Sequence, residues 1–167
     1  MLIGIVAMTE SGLIGKGNGL PWHIPDDFKF FRKLTEGKTL VAGRKTWEGM
    51  PRLENRKFVL YTRSLDLEET ENLRSVSTVE EIVNLAFAKE EYYLIGGAFM
   101  FKIFGHLCNY FYVTKVLEDE YTSFTGDVYF PMKILLANYT LISTVPHRDE
   151  STGIDLVFEL YENKRSR

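Results

Sequence analysis

The sequence has little that would support an extracellular, membrane or nucleic-acid-binding protein. It contains one cysteine, Cys108, which excludes an internal disulfide, and no cluster of cysteine and histidine, so we expect no metal site. The first apolar run, Leu2–Met8, is far shorter than the about 20 residues of a membrane span. No basic segment precedes it, so we expect neither a signal peptide nor a membrane association. The formal net charge of −3 predicts no nucleic-acid partner. A cytoplasmic protein is the expectation.

The composition is that of a folded protein with one core. Hydrophobic residues make up 45% of the sequence and charged residues 26%, values typical of globular chains. The 167 residues correspond to one domain at about 150 residues per domain. We therefore expect a single domain over residues 1–167.

Strand patterns alternate with helical patterns through the first two-thirds of the chain, and strands dominate the last third. Such alternation is typical of a parallel sheet with helices on both faces. We predict an α/β fold with a mostly parallel mixed sheet of about eight strands, flanking helices and antiparallel strands at the C-terminal edge. The predicted strands are Leu2–Met8, Lys38–Ala42, Arg56–Thr62, Tyr92–Ile95, Tyr110–Val116, Tyr139–Val145 and Asp155–Tyr161, and the predicted helices are Pro25–Thr35, one from about Thr46, Val79–Lys89 and one ending near Phe104.

Two adjacent carboxylates, Asp26 and Asp27, open the first predicted helix. Helical spacing of about 100° per residue places Asp27 within an apolar arc that includes Phe31, whereas Asp26 lies on the charged face with Lys29. A buried carboxylate needs a partner. Because ionised carboxylates only accept hydrogen bonds, Asp27 suits a ligand with two adjacent N–H donors, and burial should raise its pKa.

Three predicted strands end in turns that suit phosphate groups. These are Gly43-Arg44-Lys45-Thr46, Thr62-Arg63-Ser64 and Gly96-Gly97-Ala98. Ligands bind at the carboxyl ends of strands in open α/β sheets, and several such turns at one edge suit a dinucleotide with an additional phosphate. Each turn alone is weak evidence for a phosphate site, because Gly-Gly after a strand is more often only a tight turn. Neither a P-loop nor a G-x-G-x-x-G fingerprint is present.

Taken together, these segments resemble dihydrofolate reductase. The resemblance covers nearly the whole chain, and its motifs occur in the family's order. The motifs are Ile14-Gly15 through Leu20-Pro21-Trp22, Pro25-Asp26-Asp27, Gly43-Arg44-Lys45-Thr46-Trp47, Ile95-Gly96-Gly97-Ala98 and Gly126-Asp127-Val128-Tyr129-Phe130-Pro131. The resemblance implies NADPH-dependent reduction of 7,8-dihydrofolate to tetrahydrofolate, in support of one-carbon metabolism and thymidylate synthesis. It also implies binding of antifolates such as methotrexate or trimethoprim, and a monomer.

The resemblance also implies roles for individual residues. Asp27 corresponds to the single carboxylate of the pterin pocket, Thr114 to its hydroxyl partner, and Trp22 to a residue that orders a nearby water. Leu20 lies on the mobile loop over the nicotinamide, and Arg56 corresponds to the arginine that pairs with the folate α-carboxylate. The other implied substrate contacts are Ile5, Val6, Phe28, Phe31, Arg32, Met50, Arg52, Leu53 and Ile95.

The implied cofactor contacts lie mainly in the three turns and in the loop that contains Leu20. They are Ala7, Ile14, Gly15, Asn18, Gly43, Arg44, Lys45, Thr46, Tyr61, Thr62, Arg63, Ile95, Gly96, Gly97, Ala98, Phe99, Met100, Phe101 and Ile103. Arg44 and Arg63 predict that NADH replaces NADPH poorly. Read without the resemblance, Phe99–Phe101 are more typical of a core than of a cofactor contact. The Gly96–Gly97 peptide bond is cis in the family.

Three positions depart from the family pattern. Phe101 stands where many members have tyrosine, Glu54-Asn55 replaces a Pro-Gly before Arg56, and Phe28 replaces a common leucine. Two alternatives therefore stay open: a related reductase of another pterin or pyrimidine substrate, and a non-catalytic nucleotide-binding module on the same fold.

Overall fold

The centre of the molecule is the predicted parallel sheet. A computed structural model of the chain describes residues 1–64 and 66–166. The strands are β1 (Leu2–Thr9), β2 (Leu13–Gly15), β3 (Thr39–Gly43), β4 (Lys57–Tyr61), β5 (Leu73–Val76), β6 (Tyr92–Gly96), β7 (Tyr110–Val116), β8 (Val128–Tyr129), β9 (Tyr139–Asp149) and β10 (Ile154–Asn163). The helices are α1 (Pro25–Thr35), α2 (Arg44–Glu48), α3 (Val79–Phe87), α4 (Ala98–Phe104) and α5 (Met132–Asn138), with short 3₁₀ turns at Gly105–Leu107 and Lys164–Ser166.

Eight strands form the main sheet in the order β5-β4-β3-β6-β1-β7-β10-β9. The pairs from β5 to β7 are parallel, and β10 is antiparallel to both β7 and β9. The predicted fold class is thus confirmed. β2, β5, β8 and α5 were not predicted from the sequence, because they are only two to seven residues long, too short for a clear periodic pattern. No helix within the two described ranges is both long and apolar enough to cross a membrane.

The centre of the sheet is buried on both faces. Seven of the eight residues of β1 are buried, as a strand covered on both faces requires. Gly4 pairs in register with Phe111 of β7. A Cβ atom at Gly4 would lie 2.4 Å from the Phe111 ring, so the glycine makes room for this ring in the core.

A carboxylate from the far edge of the sheet fixes the start of α1. Pro25 occupies the first helical turn, where a missing N–H costs nothing. The backbone N–H of Asp26 donates to Oδ1 of Asp149, at 2.9 Å, and Asp149 is almost fully buried at the end of β9. This bond anchors the helix turn that carries Asp27.

Candidate active site

A cavity of about 590 Å³ opens at the carboxyl ends of the parallel strands. Its size lies within the usual range of small-molecule sites, and its position is where open α/β sheets bind ligands. α1 forms one wall, and the turns after β3 and β6 form the other. The cavity therefore joins the predicted carboxylate to the predicted phosphate-binding turns.

Asp27 lies in this wall and is only 7% exposed. Burial raises the pKa of its carboxyl from 3.8 to about 6, and the neighbouring polar side chains of Trp22 and Thr114 oppose this rise. Asp26, by contrast, faces outward and pairs with His147 at 2.7 Å. The structure confirms that helical spacing separates the two carboxylates.

Trp22 is buried beside the cavity without lining it. Its ring packs edge-on against Phe124, with centroids 5.4 Å apart. Its indole N–H forms no hydrogen bond of normal geometry with the described residues, although it is close enough to Asp27 to oppose the rise in the pKa of that carboxyl. A buried donor of this kind calls for an ordered water or a ligand.

Aromatic rings surround Asp27 along α1. Phe28 and Phe31 stack with centroids 6.4 Å apart, and the Arg32 guanidinium lies 5.0 Å from the Phe28 centroid. Phe30 also lines the cavity and packs on Phe158, with centroids 4.3 Å apart. Helical spacing places Phe30, three residues after Asp27, in the same apolar arc, although it was not among the residues assigned to the site.

Arg56 lies outside the cavity lining and has a fixed orientation. Its Nη1 donates to the Glu54 carbonyl and its Nη2 to the Arg32 carbonyl, both at 2.6 Å. Its Nε donates to Oγ1 of Thr35, at 3.3 Å. Three of the five guanidinium N–H groups are thus used. The two that remain, one on each terminal nitrogen, suit a carboxylate.

The turn between β6 and α4 brings the backbone close to α2. The Gly96–Gly97 peptide bond is cis, as the resemblance implies. A Cβ at Gly97 would lie 3.0 Å from Oγ1 of Thr46, and Gly96 has φ of 122°, where glycine is favoured. Gly96 thus has a backbone conformation that favours glycine, and the absence of a Cβ at Gly97 leaves room for the Thr46 hydroxyl at the cavity wall.

Phe99 and Phe101, two of the three aromatic residues of α4, have different environments. Phe101 is 1% exposed and packs against Phe111 and Phe130, with centroids 5.7 and 5.1 Å away, so the core interpretation is confirmed for it. For Phe99 that interpretation is wrong, because this side chain is 56% exposed and stacks on Tyr61. Both residues nevertheless line the cavity.

The loop before α1 is fastened to the rest of the molecule at two places. β2 pairs with β8, and the N–H of Gly17 donates to Oδ1 of Asp127 at 2.9 Å. On the other side, a Cβ at Gly49 would lie 2.1 Å from the carbonyl oxygen of Asn18. The loop therefore covers the cavity between β8 and the end of α2, and Leu20 on it is 55% exposed.

Most of the residues singled out in the sequence meet in this one cavity. Those in its lining are Ile5, Val6, Ala7, Ile14, Gly15, Asn18, Leu20, Asp27, Phe28, Phe31, Gly43, Arg44, Lys45, Thr46, Met50, Tyr61, Ile95, Gly97, Ala98, Phe99, Met100, Phe101 and Thr114.

Nine singled-out residues lie outside the lining, and the roles of all the singled-out residues, inside and outside it, stay predictions. They are Trp22, Arg32, Arg52, Leu53, Arg56, Thr62, Arg63, Gly96 and Ile103. Six lining residues were not singled out: Gly17, Gly19, Phe30, Gly49, Pro51 and Val128. Apart from Phe30, they lie in loops, in β8 or at the end of α2, where the sequence has no helical or strand periodicity that would identify them.

Comparisons with known proteins give the family. The family model "Dihydrofolate reductase" matches residues 1–163. The chain is 35% identical to the dihydrofolate reductase of Bacillus subtilis (strain 168), over 99% of this chain and 96% of that protein. It is 33% identical to the Neisseria gonorrhoeae dihydrofolate reductase, over 96% of each chain.

A solved structure agrees with these relatives. Dihydrofolate reductase from Enterococcus faecalis, complexed with NADP(H) and RAB-propyl, matches with a TM-score of 0.86 and 34% identity. The match covers 98% of this chain and 96% of that one. With its parallel sheet, its buried Asp27 and its glycine turn beside Thr46, the chain belongs to the dihydrofolate reductase family.

Proposed function

We propose that this protein reduces 7,8-dihydrofolate to 5,6,7,8-tetrahydrofolate with NADPH. The observation that carries the proposal is the carboxylate of Asp27, buried in an aromatic wall of the cavity at the carboxyl ends of the strands. Membership in the dihydrofolate reductase family supports the same reaction.

Asp27 is the residue that orients the substrate. Its two oxygens accept hydrogen bonds from the 2-amino group and the adjacent ring nitrogen of the pterin, a pair of N–H donors that matches a carboxylate. Phe31 and Ile5 line the same part of the cavity and provide apolar surface for a flat ring. The elevated pKa of about 6 keeps a fraction of Asp27 protonated near neutrality.

The tail of the substrate is recognised at the rim. Arg56 presents two N–H groups that bind no other described residue, from a guanidinium that three protein oxygens already orient. A planar fork of this kind binds carboxylates in a bidentate manner. We assign it to the α-carboxylate of the folate glutamate, with Arg32 and Arg52 near the same rim.

The other half of the cavity fits a dinucleotide. The backbone at Gly97 approaches Thr46 closely, and Tyr61 with Phe99 forms an aromatic edge beside it. Arg44, Lys45 and Arg63 would hold the 2′-phosphate. NADPH, when bound here, supplies the hydride that reduces pterin C6. The protein aligns the two rings and excludes water, with Leu20 on the covering loop.

The proton that N5 must gain comes through water. Asp27 is the acidic side chain in the described lining, and it is committed to the other edge of the pterin. The buried N–H of Trp22, which forms no hydrogen bond of normal geometry within the described part of the chain, can hold a water near Asp27. Trp22 is accordingly a positioning residue, as is Thr114 beside the carboxylate.

We also propose that the protein works as a cytoplasmic monomer that binds antifolates and no nucleic acid. Residues of α1 and of the turns after β3 and β6, all from the same chain, line the cavity. The net charge of −3 supports the absence of a nucleic-acid partner. Light scattering of the purified protein measures the mass, for which we expect a value near 19.3 kDa.

The experiment for the proposed reaction is NADPH oxidation by purified protein with dihydrofolate, with and without methotrexate. We expect NADPH consumption that depends on dihydrofolate and stops with methotrexate. NADPH binding without consumption would favour the non-catalytic nucleotide-binding module, and consumption with a different pterin only would favour the related reductase.

A further inference from the structure

Arg44, at the nucleotide end of the cavity, is already held by two carboxylates. Its Nε donates to Glu48 at 2.7 Å, one helical turn along α2. Its Nη1 and Nη2 donate to the two oxygens of Asp66, at 2.6 and 3.4 Å. Asp66 therefore occupies the terminal fork of the guanidinium, which is the edge that a phosphate would use.

Local contacts orient Asp66 toward Arg44. The hydroxyl of Ser64 donates to the same carboxylate, and the N–H of Ser64 donates to Oγ1 of Thr62 at 3.1 Å. The bonds from Arg44 and Ser64 lower the pKa of Asp66 to about 2, so this group carries its charge at any pH used for assay. The Asp66 side chain is 67% exposed and that of Arg44 30%. An exposed ion pair is weak, and another anion can displace the carboxylate.

The chemistry of the two nicotinamide cofactors differs at this position. A 2′-phosphate carries a charge of about −1.5 to −2 and needs the Arg44 fork that Asp66 occupies. A free 2′-hydroxyl needs no cation, and an acidic side chain is the usual acceptor for it. We propose, building on the assigned reaction, that Asp66 competes with the 2′-phosphate of NADPH for Arg44. Asp66 thereby lowers the preference of this enzyme for NADPH over NADH.

The test is the ratio of the dissociation constants of NADH and NADPH, measured by quenching of tryptophan fluorescence. Asp66→Asn removes the competing charge and keeps the shape of the side chain. We expect the variant to bind NADPH about three- to tenfold more tightly and NADH equally well or less well, so that the ratio rises. Asp155→Asn is the matched control, because Asp155 forms an exposed ion pair with Arg148 at 2.9 Å, far from the lining.

A double-mutant cycle assigns the effect to Arg44. In an Arg44→Gln background, Asp66→Asn should leave the ratio unchanged. An unchanged ratio in the single variant, or an equal rise in the Arg44→Gln background, would overturn the role of Asp66. Wild-type protein that binds neither cofactor would overturn the proposed reaction as well, whereas binding without dihydrofolate reduction would overturn the reaction alone. Thermal unfolding curves confirm that each variant is folded.

Discussion

The backbone N–H of Gly17 and the Oδ1 atom of Asp127 form a hydrogen bond of 2.9 Å that joins segments 110 residues apart. This bond, together with the pairing of β2 with β8, holds the loop that covers the cavity. Loops of this kind exclude water from the reaction and often control product release. The position of the loop thus depends on Asp127 and β8, which lie far from it in the sequence.

Asp127→Ala should release the loop. A hydrogen bond to a charged group contributes about 1.5–3 kcal/mol when buried, and less at an exposed position such as this one. We expect hydride transfer to slow by about three- to tenfold in single-turnover measurements, with little change in thermal stability. Asp127→Asn keeps the accepting oxygen and serves as the control. Equal rates for Asp127→Ala and wild type would show that this bond does not position the loop.

Gly49→Ala should displace the same loop from its other side. The backbone of Gly49 has φ of −83°, which alanine adopts freely, so the effect is steric alone. The added Cβ would lie 2.1 Å from the Asn18 carbonyl, a contact that backbone atoms must move to relieve. We expect faster amide hydrogen exchange in residues 16–20 and a fall in kcat/KM of about tenfold.

Gly19→Ala is the matched control for that substitution. A Cβ at Gly19 meets no atom within 4 Å, and the residue lies on the same loop. Its amide hydrogen exchange over residues 16–20 should match wild type, so that protection is lost only in Gly49→Ala. Equal losses in the two variants would mean that the loop responds to any added side chain rather than to the contact with α2.

Arg56→Lys should weaken binding of the substrate tail. Lysine keeps the charge and loses the planar fork that Glu54 and Arg32 orient. We expect KM for dihydrofolate to rise at least tenfold with little change in kcat. 7,8-Dihydropterin lacks the tail, and its kinetics should be unaffected. A similar loss with both substrates would place Arg56 in the structural framework instead.

Asp27→Asn should stabilise the protein against unfolding, more at neutral pH than in acid. The folded pKa of about 6 lies above the unfolded value of 3.8, so the ionised form is destabilised in the folded state. This loss of folding free energy grows as the pH rises from about 4 through 6, and it is absent below both the folded and the unfolded pKa. Relative to wild type, the free energy of unfolding of the variant should be higher by about 3 kcal/mol at pH 7.5 and by about 1 kcal/mol at pH 4.5.

Urea unfolding at the two pH values measures this difference. Asp26→Asn is the control, because Asp26 makes surface ion pairs with Lys29 and His147 and should gain nothing at neutral pH. If the gain in unfolding free energy of Asp27→Asn does not change with pH, burial does not raise the pKa of the Asp27 carboxyl.

What the sequence could predict depended on local periodicity. Helix α1 has the bounds that the pattern predicted, and the spacing of its apolar residues was enough to predict that Asp27 is buried and that Asp26 lies on the other side of the helix, in contact with His147. Strand β7 likewise matches its prediction. In both elements neighbouring residues determine which face is buried.

Contacts between distant segments left no such signal. The approach of Gly49 to Asn18 and the ion pair of Arg44 with Asp66 each depend on how an end of α2 meets a separate loop in the fold. The sequence predicted the cations at the nucleotide end of the cavity, but it did not predict that the Asp66 carboxylate binds one of them, Arg44. Strand β8 has two residues, too few for an alternating pattern.

The central claim is that Asp27 orients the pterin, and the most direct measurement is single-turnover reduction of dihydrofolate by NADPH with Asp27→Asn beside Asp26→Asn. We predict a loss of at least a hundredfold for Asp27→Asn in a folded protein that still binds NADPH, and less than a twofold change for Asp26→Asn. Near wild-type turnover by Asp27→Asn at pH 7 would contradict the account.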